Sequence, residues 1–150
     1  MNPKYRQAVF MVAYAKTEEG LKYLILKRKS RWRGWEFPKG GINFNETKEK
    51  TVIREILEET GKKALKIKKF KVFGKYEYKK KFPERKDFIG QEYSLYSVKI
   101  KYGNIKIDEN EHSSYVWLDF GKAKKRLTFP NQKKCLKIVN DWLNDEKSKI

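Results

Sequence analysis

Three carboxylates, Glu55, Glu58 and Glu59, stand at i, i+3 and i+4 in a stretch with helical periodicity, Thr47 to Thr60. On a helix that spacing brings them to one face within a single turn. Like charges so placed repel one another, so the face needs a compensating partner. Either Lys and Arg neighbours neutralise it, or a hard divalent cation with oxygen ligands does. Scarcity elsewhere narrows the chemistry. The 150 residues include one Cys, Cys135, and one His, His112. An internal disulfide, a multi-Cys zinc site and a zinc site on paired histidines are therefore excluded. A Ser-His-Asp triad would have to use His112. Any metal site is expected to be oxygen-ligated, holding Mg²⁺, Mn²⁺ or Ca²⁺.

Charge points to the class of partner. Lys and Arg number 37 against 19 Asp and Glu, a formal net charge of +18, and 30 of the 37 are Lys. A field of that sign attracts polyanions such as nucleotides, nucleic acid or inositol phosphates and says nothing about fold. Aromatic residues make up 15% of the chain, more than a disordered chain carries. The length suits one domain spanning 1–150 and buries roughly two thirds of the surface the unfolded chain exposes. No apolar run approaches the length of a membrane span. The first residues, Met1 to Arg6, lead into a strand-like stretch too short and polar-flanked for a signal peptide. The expectation is a soluble, cytoplasmic monomer without a membrane partner.

The elements that must position the acidic segment are readable in outline. Gln7 to Ala15 is largely apolar and predicts a buried strand, with Leu21 to Lys27 as its hairpin partner across Glu18-Glu19-Gly20. Ser30 to Pro38 predicts a loop, and Lys39-Gly40-Gly41 a close approach of backbone to something. In the helix over 47–60, Val52, Ile53, Ile56 and Leu57 form the expected apolar stripe with the carboxylates opposite, and Gly61 is a natural C-cap. Strands follow at Leu65 to Tyr78, Glu92 to Lys101 and Tyr115 to Leu118, then helices at Gly121 to Leu127 and Asn131 to Asn144. The last helix places Cys135, Val139, Trp142 and Leu143 on one stripe, so Cys135 is expected in the core. A mixed β-sheet flanked by helices is the expected α/β architecture.

The segment Gly40 to Lys62, GGINFNETKEKTVIREILEETGK, resembles the Nudix box. That pattern is Gly, five residues, Glu, seven residues, Arg-Glu, an aliphatic, any residue, Glu-Glu, any residue, Gly, an aliphatic. Gly40, Glu46, Arg54, Glu55, Ile56, Glu58, Glu59 and Gly61 match, and Lys62 stands where an aliphatic is usual. The resemblance implies a Nudix-type α/β/α sandwich whose catalytic loop-helix-loop holds a divalent metal against a pyrophosphate. Glu55, Glu58 and Glu59 would ligate Mg²⁺ or Mn²⁺ together with the Gly40 carbonyl. Arg54 would orient Glu55 by a salt bridge, and Glu46 would be structural, at the positive end of the helix dipole. A water made acidic by the metal would attack phosphorus in line, its proton passing to Glu55 or to a carboxylate outside the box.

The resemblance extends over most of the chain. Trp35 to Gly40 is similar to the strand that feeds the box in dinucleoside polyphosphate hydrolases and RNA pyrophosphohydrolases. Glu111-His112-Ser113-Ser114-Tyr115-Val116-Trp117-Leu118 resembles the segment carrying an extra metal carboxylate in the diadenosine tetraphosphate hydrolases. This makes Glu111 the expected outside ligand and catalytic group, with Glu109 or Asp108 as the alternatives. His112 is either a base or an exposed loop residue. Lys39 would meet a distal phosphate, Tyr78 a base, Lys79 to Lys81 a phosphate chain, and Phe129 a base or the core. The function implied is metal-dependent, asymmetric cleavage of dinucleoside polyphosphates. Ile89-Gly90-Gln91 and Gly40-Gly41-Ile42 also resemble RNA pyrophosphohydrolases, so a 5′ RNA end is an alternative substrate, as is a diphosphoinositol phosphate.

Overall fold

The computed structural model describes residues 4–30, 32–80 and 82–148. The chain runs β1 (Tyr5–Thr17), β2 (Gly20–Arg28), β3 (Gly34–Glu36), β4 (Lys39–Gly41), α1 (Lys48–Thr60), β5 (Lys66–Glu77), a 3-10 turn (Pro83–Arg85), β6 (Gly90–Lys99), β7 (His112–Leu118), α2 (Phe120–Arg126) and α3 (Pro130–Ser148). β1 lies parallel to β6, and β5 closes that side antiparallel to β6. On its other edge β1 pairs with β2 only over Tyr14–Thr17, and further back with β4 over Ala8–Phe10. β2 in turn pairs with β3 over Leu26–Arg28 and with β7 along its far edge. Past Tyr14 and Tyr23, β1 and β2 thus separate, and the two short strands fill the opening between them. The linker from β3 to β4 crosses this split.

Strict alternation along β1 builds two cores, because successive side chains leave a strand on opposite faces. Phe10, Val12 and Tyr14 join Tyr23, Ile25 and Leu95 under α2 and α3. Val9, Met11 and Ala13 join Leu24, Leu26, Tyr96 and Val98 under α1. The result is the expected α/β/α sandwich on a mixed sheet. Cys135 is buried in the first core with Leu136, Val139 and Leu143. Phe37 drops into the same core, and its backbone N–H donates to Gln132 Oε1 on α3 at 3.0 Å. That bond pins the β3–β4 linker to the opposite layer.

Three expectations are corrected. Ser30 to Pro38 is not all loop, since β3 lies within it; three residues are too few to show a strand period. β7 begins at His112, three residues before the predicted start. The buried stripe of α1 is not Val52, Ile53, Ile56 and Leu57. Val52 and Ile56 are buried, but Ile53 is 49% and Leu57 56% exposed. The other buried side chains of α1 are Thr51, Glu59 and Thr60. The carboxylates therefore do not stand opposite the apolar face. They fan from it, Glu59 inside, Glu55 half-buried and Glu58 in solvent. Apolar count favoured Ile53 and Leu57, but the buried face follows Val52 at about one turn, Ile56, and about two turns, Glu59.

This geometry separates two substitutions. Ile56→Ala leaves a cavity beneath α1 and should lower stability by roughly 2–5 kcal/mol. Leu57→Ala, one residue on, should change it by only about 0.5 kcal/mol. Denaturant unfolding of the two variants checks this; equal losses would return the core stripe to the Leu57 side.

Candidate active site

The loop into α1 is organised by Glu46. Its Oε1 accepts from the Asn43 N–H at 3.1 Å and from the Thr51 hydroxyl at 2.7 Å. Both oxygens accept from Arg54, at 2.8 Å each, a fork-on-fork pairing. These bonds, led by Arg54, hold the Glu46 carboxyl down at about 2. Thr47 caps the helix by accepting from the Lys50 N–H at 3.2 Å. Gly61 closes it in the left-handed region, φ 72°, where a β-carbon is disfavoured.

Arg54 then ties loop to helix. Nη1 donates to Glu55 Oε1 at 2.8 Å and reaches Glu58 Oε2 at 3.4 Å; Nη2 donates to the Gly41 carbonyl at 3.0 Å. The Gly40-Gly41 strand is held on β1 opposite Val9 and Ala8. A side chain at Gly40 would collide with the Glu55 carboxyl group. Glycine here lets the strand backbone lie directly against that carboxylate.

Glu59 sits deeper. It is 2% exposed, and Oε2 accepts from the Lys39 backbone N–H at 3.2 Å. Burial, then the charges of Glu55, Glu111 and Glu36, push its pKa well above the usual carboxylate range. Burial also raises Glu55, to about 7, with Glu58 and Glu111 adding to the rise and Arg54 opposing it.

Sequence reasoning assigned no role to the group at the centre of the split. Glu36, at the end of β3, is fully buried. Its carboxylate accepts from Arg28 Nη1 at 3.1 Å and from Trp32 Nε1 at 3.1 Å; His112 Nε2 lies at 2.9 Å and Lys39 Nζ at 3.5 Å. Burial alone would raise its pKa. Lys39, the His112 hydrogen bond and Arg28 outweigh burial and hold it at about 2. The signal was present: an acid between Trp35 and Phe37 in an apolar stretch must be paired if buried. His112 is neither exposed nor on a loop. It is 1% exposed, on the first residue of β7.

Glu111 is delivered by the turn before β7. The Asn110 N–H bonds to Asp108 Oδ1 at 3.0 Å, the Glu111 and His112 N–H groups bond to the Asp108 carbonyl, and the Lys29 N–H bonds to the Glu111 carbonyl. The Glu111 carboxylate lies 3.7 Å from Arg28 Nη1. Asp108, an alternative ligand from sequence, shapes this turn.

Glu55, Glu111, Lys39, Gly40 and Gly41 line one cleft with Arg6, Arg28, Arg85 and Gln91. Arg6 and Arg85 both donate to Gln91 Oε1, at 3.2 and 3.4 Å. Neither arginine was singled out from sequence, because Arg6 opens a strand and Arg85 lies in a separate 3-10 turn. Tyr78, just past β5, reaches the same amide, its hydroxyl 3.4 Å from Gln91 Oε1. Its ring meets Phe82 edge-on at 5.3 Å, and Phe82 meets Trp32 at 6.2 Å. Lys39 lies 4.1 Å over the Trp32 ring. Other expected residues stand apart. Lys79 is exposed and does not line the cleft, and Glu58 is half exposed at its helix side. Phe129 precedes α3, where its carbonyl accepts from the Gln132 N–H. Lys81 lies outside the described residues.

The donor set fits a hard divalent cation. Glu59 is a buried carboxylate with one hydrogen-bond donor and three carboxylates near enough to raise its pKa. Divalent charge would offset that repulsion in a way the neighbouring Arg54, already bound to Glu46, does not. Glu59, Glu55, Glu111 and the Gly40 carbonyl are the groups available to hold it.

Comparison with known proteins agrees. The family model described as the NUDIX domain matches residues 4–137. The chain belongs to the NUDIX family and is a pyrophosphohydrolase of it. No curated protein matches the sequence significantly. Among solved structures, a binary complex of the C. elegans Ap4A hydrolase superposes with a TM-score of 0.76 at 19% identity, covering 93% of this chain and 98% of that one. The E. coli dihydroneopterin triphosphate pyrophosphohydrolase gives 0.69 at 18%, covering 88% and 94%. The NUDIX domain of Shewanella oneidensis NrtR, complexed with ADP ribose, gives 0.75 at 16%, covering 95% and 90%. At these identities the likeness is one of fold. No helix among the described residues is long and apolar enough to cross a membrane.

The raised carboxylates predict a pH-dependent response to metal. Between about 4.5 and 7, metal-free native protein keeps protons on Glu55 and Glu59 that the unfolded chain releases. Native protein binding the more protons means that stability falls as pH rises through this window. Glu36 and Glu46 act in the opposite sense but only below it, towards pH 2. Mg²⁺ or Mn²⁺ binds the ionised carboxylates, so it should raise Tm more at pH 8 than at pH 6 once the metal-free decline is measured. Equal gains at both pH values would show that these carboxylates do not take the ion.

Proposed function

We propose that the chain cleaves dinucleoside polyphosphates asymmetrically, with diadenosine tetraphosphate as representative substrate, in a reaction dependent on Mg²⁺ or Mn²⁺. The observation that carries this reading is the cleft itself. Carboxylates at Glu55 and Glu111 share it with Arg6, Arg28, Arg85 and Lys39, and the aromatic run Tyr78–Phe82–Trp32 meets its lining at Gln91 and Lys39. A polyphosphate needs the cations, and a terminal nucleoside needs the rings. The shared fold with an Ap4A hydrolase supports the reading.

Glu59, Glu55 and Glu111, with the Gly40 carbonyl, would hold the cation, and Glu58 would stand at its outer side on Arg54. A bound divalent cation supplies neutralisation of phosphate oxygens and a water of lowered pKa. Glu55, beside the attacking water, is the group that would take its proton, with Glu111 as the alternative base. Arg54 keeps Glu55 Oε1 in place. Lys39 and the cleft arginines bind phosphate oxygens, the arginines by planar paired donors. Tyr78 carries the base on its ring face, and exposed Lys79, next to it in sequence, adds positive charge outside the cleft.

A 5′-triphosphate RNA end is the second reading, favoured by the charge of +18 and by exposed lysines such as Lys79 and Lys80. Its binding would weaken steeply with salt.

Turnover of diadenosine tetraphosphate, 5′-triphosphate RNA and a diphosphoinositol phosphate, measured side by side with Mg²⁺, decides the substrate. The dinucleotide should turn over with the highest kcat/KM; a faster RNA would replace it. Glu59→Gln keeps shape but removes a ligand charge, and kcat should fall by about three orders of magnitude, roughly 4 kcal/mol. Near-wild-type kcat would remove Glu59 from the metal site. Tyr78→Ala should raise KM for the dinucleotide about tenfold, since base stacking contributes about 1–3 kcal/mol. A lowered Tm with unchanged KM would make Tyr78 a packing residue instead.

A further inference from the structure

His112 is the chain's one histidine, and nothing in the proposed reaction uses it. It is 1% exposed and belongs to neither apolar cluster. A ring nitrogen of His112 and carboxylate oxygens of Glu59 and Glu111 lie within 4.8 Å of one another. The two nitrogens are not equivalent. Nε2 lies 2.9 Å from Glu36 Oε2, while Nδ1 is buried without a hydrogen-bond partner among the described residues. Glu36 is surrounded by groups that can only donate: the Arg28 guanidinium, the Trp32 indole N–H and the Lys39 ammonium. It must therefore accept from Nε2–H. In the neutral ring that leaves a lone pair on Nδ1, buried away from water in a residue whose ring reaches the Glu59 and Glu111 carboxylates. A buried acceptor with no donor is costly unless something binds it.

We infer that His112 is a nitrogen ligand to the divalent cation held by Glu59 and Glu111, bound through Nδ1 and backed by Glu36 through Nε2. The inference rests on the metal-dependent reading above and adds a ligand to it. A carboxylate behind the far ring nitrogen is the common support for a metal-binding histidine, fixing its tautomer and orientation. The oxygen-only site expected from the scarcity of Cys and His becomes a mixed one. Imidazole favours Mn²⁺ and later first-row ions over Mg²⁺, which keeps to oxygen and water. The site would therefore select Mn²⁺ over Mg²⁺ more strongly than carboxylates alone.

Mn²⁺ bound to the full chain, with histidine alone labelled in heavy nitrogen, tests this by pulsed electron paramagnetic resonance. A single histidine makes the signal unambiguous, and wild-type protein suffices. The expected result is hyperfine coupling from the histidine nitrogen. A companion titration of His112→Asn should show Mn²⁺ affinity falling about tenfold or more while Mg²⁺ affinity falls far less; a merely structural loss would weaken both alike. Mn²⁺ that binds wild-type protein, is lost in Glu59→Gln and shows no histidine coupling would overturn the inference and leave the metal-dependent reading intact. No Mn²⁺ binding at wild type would overturn both.

Discussion

Glu59 lies on the core-facing side of α1, out of water, with Glu55, Glu111 and Glu36 all close enough to raise its pKa. Four carboxylates in one small volume repel one another, and each loses hydration on burial. The surrounding structure is arranged around that repulsion. Arg54 takes Glu46, Glu55 and Glu58 at the surface side of the helix. Arg28, His112, Lys39 and Trp32 converge on Glu36 at the inner side. Glu59 stands between the two sets and, among the described residues, receives only a backbone N–H. The cationic side chains are thus spent on the flanks, and the middle of the cluster is the place where charge compensation is missing.

The split in the sheet makes this arrangement possible. If β1 and β2 stayed paired along their length, their facing edges would be closed by each other. Because they part after Tyr14 and Tyr23, β3 and β4 each take one edge, and the linker between them passes from Glu36 to Lys39 across the gap. Glu36 therefore enters from the β2 side and Gly40 from the β1 side. β7, on the far edge of β2, brings Glu111 and His112 to the same end. β3, β4 and β7 thus bring their residues to one place while their own backbone groups pair with β1 and β2. Phe37, between Glu36 and Gly40 in sequence, anchors the crossing in the α3 core.

The spacing of Arg54, Glu55, Glu58 and Glu59 was legible in the sequence because one helix carries them all, and helical neighbours are fixed by number alone. The strands β1, β2, β5 and β6 were legible because their apolar runs are long. What could not be read was any contact across the split. Glu36 touches Arg28 eight residues away, but His112 is 76 residues away, and no local period links them. Arg6 and Gln91 meet only because β1 and β6 run parallel in register, Arg6 opposite Gln91. The face of α1 was misjudged for a related reason. Ile53 and Leu57 are as apolar as Val52 and Ile56, and the choice between the two pairs was made by tertiary packing, which also turned Glu59 inward.

The opposition between an acidic cluster and a surface of charge +18 bears on the order of events in the proposed reaction. At long range the surface field draws a polyanion toward the protein whatever the state of the cleft. Within a few ångströms the balance is local. Two of the cleft cations, Arg28 and Lys39, are already engaged with Glu36, and Arg6 and Arg85 already share Gln91. Phosphate oxygens placed beside ionised Glu55 and Glu111 would add like charge to a cluster already short of compensation. A divalent cation would reverse that sign at short range, so in the proposed reaction metal binding and polyphosphate binding would be coupled favourably through the same carboxylates. By linkage the coupling is reciprocal: whatever factor the metal gains for the polyphosphate, the polyphosphate gains for the metal. A site whose carboxylates repel strongly on their own discriminates in this way between a phosphate chain that arrives with its cation and one that arrives without.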